Sequence, residues 1–371
     1  MPLEVGARVG EYVIERELGA GAFGTVFAAH HVKDGGIVAI KALKSKSSEQ
    51  VSRFKREAAS LRRIQSDYVG KIIDFVVDPN EGMLIVMEFI DGELLAEILQ
   101  DTNLSIDEAI ELGVHLAQGV ADMHAVGVIH RDIKPSNIMI RPLDSGMQRA
   151  VIFDLGLSRF NPAIASPEDP STGDVTQTAS RVAIGTPGYM APEQILDARQ
   201  ATEQSDIYAL GVVLYRAVSG QLPFTGTDGE IARKKLLEEA PPLKLGRNDP
   251  VAKRLEGLIN RCIRRRPEER FSAAHDFVGE LLSLRAFATQ QEPIRTMPSP
   301  YPMAYRGPDD APMSSSEPGI PILGGGAAPL SRSNIPVASV RPKSSGSALM
   351  TLGIAVVIIG LLIAFFAYAL S

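Results

Sequence analysis

Apolar and polar residues alternate in short runs at the start of the chain, and glycines separate the runs. The alternation over residues 12–19 (YVIERELG) and 25–31 (TVFAAHH) predicts two β-strands, because successive side chains of a strand point to opposite faces. Gly19, Gly21 and Gly24 lie between these runs and predict the turn that joins them. The chain therefore opens with a glycine-rich hairpin.

A further turn at residues 34–36 (DGG) leads into the apolar strand run 38–40 and then Lys41. A glycine-rich turn lets backbone N–H groups approach an anion closely, so it can hold a phosphate. The G-x-G-x-x-G pattern alone is equally typical of a plain hairpin, and a dinucleotide-binding fold shares it but continues into a helix. Here it continues into a strand that ends at Lys41. Taken alone, a lysine at this position is typical of the solvated end of a strand. Together, the turn and Lys41 indicate a phosphate site.

Residues 48–65 (SEQVSRFKREAASLRRIQ) change to helical periodicity. The apolar positions of this predicted helix are Val51, Phe54, Ala58, Leu61 and Ile64. Glu57 lies beside that apolar face. It is either a surface carboxylate in a charge pattern or the partner of an ion pair that fixes Lys41.

The segment 128–140 (VIHRDIKPSNIMI) places ionisable side chains between two apolar runs. Its polar members are Asp132, Lys134 and Asn137. Asp154 follows another apolar strand in residues 150–159 (AVIFDLGLSR). Two acids and an amide near strand ends can position a divalent metal ion and a hydroxyl nucleophile, which is what phosphoryl transfer requires.

Composition narrows the protein class. With 371 residues, 45% hydrophobic and 22% charged, the chain has room for about two domains. The net charge of −6, without a run of Lys and Arg interleaved with aromatic residues, argues against nucleic acid as a partner. Cys262 is the only cysteine, so no intramolecular disulfide can form, and we expect it to be a small core residue in a reducing compartment. The first residues lack the pattern of a secretory signal.

Three regions differ in composition. Residues 11–284 show strand and helix periodicities and predict the folded domain. Residues 285–347 predict a disordered linker, since 27 of the 59 positions from 289 to 347 are Pro, Ser or Gly. Residues 348–370 contain no charge and predict a transmembrane helix of roughly 35 Å, rather than a buried core helix.

Six motifs in order carry a resemblance to a known family. They are GAGAFGTV, VAIK, HRDIKPSN, DLG, GTPGYMAPE and SDIYALG. Over residues 11–284 the chain resembles the eukaryotic-like Ser/Thr protein kinases of bacteria, of the membrane-tethered type. The resemblance implies an α+β fold of two lobes, a small β-rich N-lobe and a larger helical C-lobe, to which the C-terminal transmembrane helix is added.

The resemblance also implies the roles of individual residues. Those assigned to ATP binding are Leu18, Gly19, Ala20, Gly21, Gly24, Val26, Lys41, Glu57, Glu88 and Ile90. Asp132, Lys134 and Asn137 are implied as catalytic residues, and Asn137 and Asp154 as ligands of Mg²⁺, or of Mn²⁺ in its place. Glu88 and Ile90 would face adenine through their backbones, next to Met87.

Other positions are implied to be structural. His130 is expected to pack under the catalytic loop, and Asp206 to brace it. Glu193 is expected to pair with Arg270. DLG replaces the usual D-F-G, and we expect Leu155 to pack near Leu61 and Ile73.

The implied reaction is transfer of the ATP γ-phosphoryl group to Ser or Thr of protein substrates. Ser/Thr specificity rests on Lys134 in DIKPSN. Autophosphorylation is expected at Thr176 and Thr178, with Thr172 and Ser180 as weaker candidates. The alternative is a pseudokinase that binds nucleotide as a membrane-tethered scaffold. A small-molecule phosphotransferase is disfavoured because GTPGYMAPE is typical of a peptide-binding platform.

The expected location is the cytoplasmic (inner) membrane, crossed once. Arg332, Arg341 and Lys343 precede the apolar segment, so the positive-inside rule places the kinase domain in the cytoplasm. Because the sequence stops at Ser371, we expect no external sensor domain and a signal that comes from the cytoplasm, the membrane or a partner. A homodimer for autophosphorylation is the remaining partner that the resemblance allows.

Overall fold

A computed structural model describes residues 3–21, 24–43, 61–78, 82–155 and 187–291. Several predictions lie outside these residues: Glu57 with most of its helix, Thr172, Thr176, Thr178 and Ser180, the linker beyond residue 291, and the apolar segment 348–370. Within the described ranges, no helix has the length and apolar character needed to cross a membrane.

The N-terminal part is a six-stranded antiparallel sheet in the order β1-β2-β3-β4-β6-β5. The strands are β1 (Arg8–Val9), β2 (Tyr12–Gly21), β3 (Gly24–His31), β4 (Ile37–Leu43), β5 (Ile72–Asp78) and β6 (Gly82–Glu88). One face of the sheet builds its own core from alternating residues, including Phe27, Ile40 and Val86, which pair across neighbouring strands. The opposite face carries Lys41 and Ile85.

Helices dominate the remainder of the described chain. They are α1 (Leu95–Asp101), α2 (Ile106–Ala125), α3 (Pro192–Leu196), α4 (Glu203–Ser219), α5 (Asp228–Leu237), α6 (Pro250–Cys262) and α7 (Ala274–Gln291). The start of α2 is fixed by a capping box, in which the Glu108 N–H donates to Ser105 Oγ at 3.3 Å and the Ser105 N–H to Glu108 Oε2 at 2.7 Å. Apolar faces of α2, α4, α6 and α7 form one continuous core. The predicted α+β architecture of two lobes is confirmed.

A small sheet lies where these two parts meet, in the order β7-β8-β9. Its strands are β7 (Glu93–Leu94), β8 (Ile138–Pro142) and β9 (Gln148–Ile152). β8 begins directly after Asn137, and β9 ends two residues before Asp154. The Phe153 N–H donates to the Asn137 carbonyl at 3.0 Å. This sheet therefore holds the two predicted polar segments next to each other.

Three details differ from the sequence-based expectations. The glycine-rich segment is mostly strand, because Gly19 pairs with Val26 and Gly21 with Gly24. Ile73 is 40% exposed, and Ile72 faces the core instead, since an irregularity between Ile72 and Asp74 shifts the register of β5.

The third difference concerns the end of the folded domain. α7 continues to Gln291, beyond the expected boundary at residue 284, because Phe287 and Ala288 still pack against the core. Cys262 is fully buried in that core, as expected.

Candidate active site

A row of cross-strand neighbours on the inner face of the six-stranded sheet forms one wall of the site. Gly19 pairs with Val26, Val26 with Lys41, and Lys41 with Ile85. Directly opposed residues of a sheet project from the same face, so the glycine-rich strand lies beside the Lys41 side chain. Leu18 is the extra residue of a β-bulge, has no cross-strand partner and is 39% exposed.

Lys41 connects the two parts of the molecule. Its ammonium, with only 6% of the side chain exposed, donates to Asp154 Oδ1. Asp154 adopts the left-handed backbone conformation with φ of 64°, which is uncommon for a residue other than glycine and is concentrated at functional sites. The structure thus brings together Lys41 and Asp154, a contact that the sequence analysis did not predict. The expected contact between Lys41 and Glu57 lies outside the described residues.

The segment after α2 folds into a loop that gathers the three predicted catalytic side chains. Lys134 Nζ lies 2.8 Å from Asp132 Oδ2 and 3.1 Å from Oδ1. Asn137 Nδ2 donates to the Asp132 carbonyl at 2.8 Å and to Asp132 Oδ2 at 3.2 Å. Pro135 starts a short 3₁₀ turn, Pro135–Asn137, that returns Asn137 towards Asp132. The carboxylate of Asp132 is 18% exposed, so it is positioned but still reachable.

Buried polar groups hold this loop from below. Asp206, 1% exposed, accepts the backbone N–H groups of His130 and Arg131, both at 2.8 Å. His130 is fully buried, with Nε2 3.1 Å from the Phe153 carbonyl and Nδ1 3.2 Å from the Asp132 nitrogen. The expected structural roles of His130 and Asp206 are confirmed. Arg131 has a φ of 70°, and the two hydrogen bonds that Asp206 accepts stabilise that strained conformation.

A cleft opens between the lobes beside Asp154. Its walls are mostly apolar, and Ile72, Ile85, Met87 and Leu155 are among the residues that line it. Glu88 and Ile90 also line it, as expected for the adenine site. The Glu88 N–H donates to the Lys71 carbonyl at 2.8 Å, so only the carbonyl of Glu88 is left for a ligand.

The donor groups fit a magnesium ion bound together with phosphates. Asn137 uses its amide nitrogen for Asp132, which leaves its amide oxygen as an acceptor, and Asp154 supplies a carboxylate. Among the described residues no group of three or more His, Cys, Asp or Glu could hold a metal ion by itself. Mg²⁺ is commonly bound by one or two protein oxygens plus substrate phosphates, and this site offers that set.

The Glu193–Arg270 pair is also formed as predicted. Arg270 donates from Nη1 to Glu193 Oε1 at 2.7 Å and from Nη2 to Oε2 at 2.9 Å. Burial raises the pKa of the Glu193 carboxyl, but Arg270 and the Ser205 hydroxyl outweigh it, so the pKa lies below its ordinary value.

Two cations next to the site, one buried and one partly exposed, carry no recognisable signal in the sequence. Lys235, 1% exposed, donates to the carbonyls of Gly188 at 2.6 Å and Met190 at 2.7 Å, and so ties α5 to the segment before α3. Burial, with Arg270 nearby, lowers the pKa of Lys235 well below its ordinary value. Arg141 pairs with Glu88 at 2.6 Å and fixes the side chain at the end of β6. Both contacts depend on which helices and strands pack together. The hydrophobic periodicity of the sequence does not reveal this packing.

Comparisons with known proteins agree with this geometry. The family model of the protein kinase domain matches residues 12–279. The chain is 34% identical over 306 residues to the serine/threonine-protein kinase pkn2 of Myxococcus xanthus, which takes in 80% of this chain and 35% of that protein. It is 32% identical over 299 residues to the serine/threonine-protein kinase PknA of Mycobacterium tuberculosis, across 78% of this chain and 64% of that protein.

The solved structures give a likeness of fold. The kinase domain of PknI from Mycobacterium tuberculosis superimposes with a TM-score of 0.55 at 22% identity, covering 76% of this chain and 100% of that domain. The two curated relatives are matched over 35% and 64% of their own lengths.

Proposed function

This chain belongs to the protein kinase domain family, and from that premise we propose that it transfers the γ-phosphoryl group of ATP to serine or threonine hydroxyls of protein substrates. The observation that carries the proposal is the convergence of Asp132, Lys134 and Asn137 in one loop, beside the Lys41–Asp154 pair. These side chains come from both lobes, and Asp154 also lines the cleft.

Each of these groups has a task that its position permits. ATP supplies the phosphoryl group and Mg²⁺ neutralises charge on the phosphates when both are bound. Lys41 would hold phosphate oxygens, while Asn137 and Asp154 would hold the metal ion. The Asp132 carboxylate would orient the substrate hydroxyl and accept its proton. Lys134, whose ammonium lies against that carboxylate, would stabilise negative charge on the phosphoryl group in transit.

Incorporation of radiolabelled phosphate from ATP into a protein substrate tests the proposal. Asp132→Asn should lower the rate by roughly 10²- to 10⁴-fold, the usual contribution of a positioned acid–base group. Asp144→Asn is a matched control, since Asp144 is an exposed carboxylate in the β8–β9 turn. Equal incorporation by wild type and Asp132→Asn would refute the proposed kinase activity and favour the alternative of a nucleotide-binding scaffold.

We also propose that the segment between Asp154 and Glu193 is autophosphorylated at Thr176 and Thr178. The support from the described residues is Arg131, whose buried Nε has no hydrogen-bond partner among them. A phosphate bound by this guanidinium would form charge-assisted hydrogen bonds and order the segment. The double variant Thr176→Ala/Thr178→Ala should lose activity in a peptide assay. Unchanged turnover would contradict the proposal.

Association with the cytoplasmic membrane through residues 348–370 is likewise a proposal, supported by the uncharged sequence of that segment and the basic residues before it. A homodimer for autophosphorylation stays a prediction of the family resemblance.

A further inference from the structure

A separate cavity of about 190 Å³ borders the loop that carries Asp132. It is built by α1, the catalytic loop, the segment before α3 and the second half of α4. Its lining residues are Ala96, Leu99, Lys134, Pro135, Ser136, Tyr189 and Arg216. Because Lys134 contacts both this cavity and Asp132, whatever occupies the cavity lies close to the site of phosphoryl transfer.

Arg216 is the unusual member of this set. Its Nη2 donates to the Leu99 carbonyl at 2.7 Å, which fixes the guanidinium against α1. Its Nη1 is buried and has no hydrogen-bond partner within the described chain. A buried N–H of a cation without a partner is costly, so such a group in a native protein needs an explanation. Because Arg216 also lines the cavity, an acceptor group of a molecule bound there can complete the hydrogen bonding of its guanidinium.

The charges around the cavity define the acceptor. Among the described residues that line the cavity there is no carboxylate. The other cation, Lys134, is paired with Asp132 at 2.8 Å, whereas Arg216 has no acidic partner among the residues that the structure describes. Tyr189 faces the same guanidinium: burial raises the pKa of its phenol, and the positive charge of Arg216 partly offsets that rise. A guanidinium in the wall of a cavity matches a carboxylate in shape and charge.

We propose that this cavity binds the carboxylate of an Asp or Glu side chain within a few residues of the phosphoacceptor, so that Arg216 selects acidic protein substrates. The inference rests on the proposed kinase function and adds a substrate class to it. Arg216 is a specificity-determining residue in this view, because it touches the substrate segment and not the reacting atoms. A purely structural Arg216, acting only through Leu99, would affect all substrates equally.

A matched peptide series tests the preference of the wild type. The parent peptide has one serine flanked by alanines, and single Asp, Glu, Arg or phosphoserine residues are placed at each position up to five residues on either side. We expect kcat/KM at the preferred position to be on the order of tenfold higher for Asp or Glu than for Ala, which corresponds to about 1.4 kcal/mol. Salt should weaken this preference, because the cavity is open to solvent.

Two variants at Arg216 and one control test whether Arg216 causes the preference for acidic peptides. Arg216→Gln keeps a donor for the Leu99 carbonyl but has no charge, and should reduce the ratio of kcat/KM between acidic and alanine peptides to about one. Arg216→Glu should invert it in favour of the Arg peptide. Arg233→Glu makes the same charge change on a side chain that is 62% exposed and outside the cavity, and should leave the ratio unchanged. A folding defect would lower both rates together and leave the ratio as in wild type.

The possible outcomes distinguish a failure of this inference from a failure of the proposed kinase function. Transfer by the wild type at equal rates to acidic and alanine peptides would overturn the inference alone, and so would an acidic preference that survives in Arg216→Gln. A preference confined to phosphoserine peptides would overturn the assignment to a carboxylate. Absence of transfer to any peptide or protein would overturn the proposed function and this inference with it.

Discussion

At the scale of single residues, His115 makes the stability of the domain depend on pH. Its ring stacks on Tyr68 with 5.0 Å between centroids, and its Nδ1 accepts the Ala150 N–H at 3.3 Å. Burial, together with the positive charges of Arg149 and Arg285, lowers its pKa from 6.5 to about 4. The folded protein therefore keeps the ring neutral where the unfolded chain takes up a proton.

The direction of the effect follows from proton binding. Between pH 6.5 and about 4 the unfolded state binds more protons, so the stabilising contribution is complete above pH 6.5 and decreases towards pH 4. Since each tenfold change in proton affinity corresponds to about 1.4 kcal/mol, we expect a loss of roughly 3 kcal/mol over this range. Urea unfolding across these pH values measures it. His115→Asn, which cannot titrate, should show a shallower slope, and equal slopes would contradict the prediction.

At the scale of elements, the close contact between α4 and α6 depends on Gly211. A Cβ at this position would lie 2.5 Å from Cys262 Cβ and 2.8 Å from Ile263 Cγ2, closer than carbon atoms approach. Gly211→Ala should therefore destabilise the domain by about 1–3 kcal/mol, the usual cost of overpacking a core. Thermal unfolding of the purified variant is the measurement.

Gly257 on α6 provides the matched control for that substitution. A Cβ there would meet nothing within 4 Å, and the position is exposed. Gly257→Ala should stabilise the domain by up to about 1 kcal/mol, because glycine is a weak helix former. A Gly211→Ala variant as stable as Gly257→Ala would show that the helices can separate without cost.

The pair between α3 and the segment after Pro267–Glu269 should respond to acid in a different range. The pKa of Glu193 is below its ordinary 4.5, so its contribution to stability is present above pH 4.5 and is lost as pH falls through the lowered value. Glu193→Gln leaves the buried Arg270 charge without its partner and should cost about 3–5 kcal/mol near neutral pH. The difference in unfolding free energy from wild type should shrink below pH 4.5. A constant difference would contradict this account.

Elements differ in how far their sequence predicted them. The alternation of apolar and polar residues predicted strands β2 and β3, and the motif around Asp132 predicted a polar loop between two apolar runs. The Lys41–Asp154 contact, between residues 113 apart, follows from the packing of two sheets and was not predicted from the sequence. Arg216 and Lys235 had no signal at all, since helical periodicity reports which face is apolar and not which carbonyls a buried cation will meet.

At the scale of the whole molecule, the kinase fold and the apolar segment 348–370 are predicted to act independently. The site residues that the structure describes all lie before residue 292, and contacts such as Lys41 with Asp154 hold them together. The sequence predicts a disordered linker before the apolar segment, and its part beyond α7, residues 292–347, would span roughly 40 Å end to end as a flexible chain, so we expect it to transmit little strain to the domain. We therefore expect that membrane association can be removed without loss of catalytic activity.

Deletion of residues 348–371 tests this separation. We expect the full chain to sediment with membranes and the truncated chain to remain in the supernatant, with kcat/KM on a soluble peptide unchanged within about twofold, because solvent-borne substrate needs no anchoring. As a control that keeps the length, Ile358→Arg/Ile359→Arg should also release the protein, since each arginine at the centre of a membrane helix costs about 2.5–3.5 kcal/mol. Loss of peptide activity in both variants would show instead that the apolar segment supports the catalytic domain directly. Sedimentation of both with the membranes would mean that another part of the chain binds the bilayer.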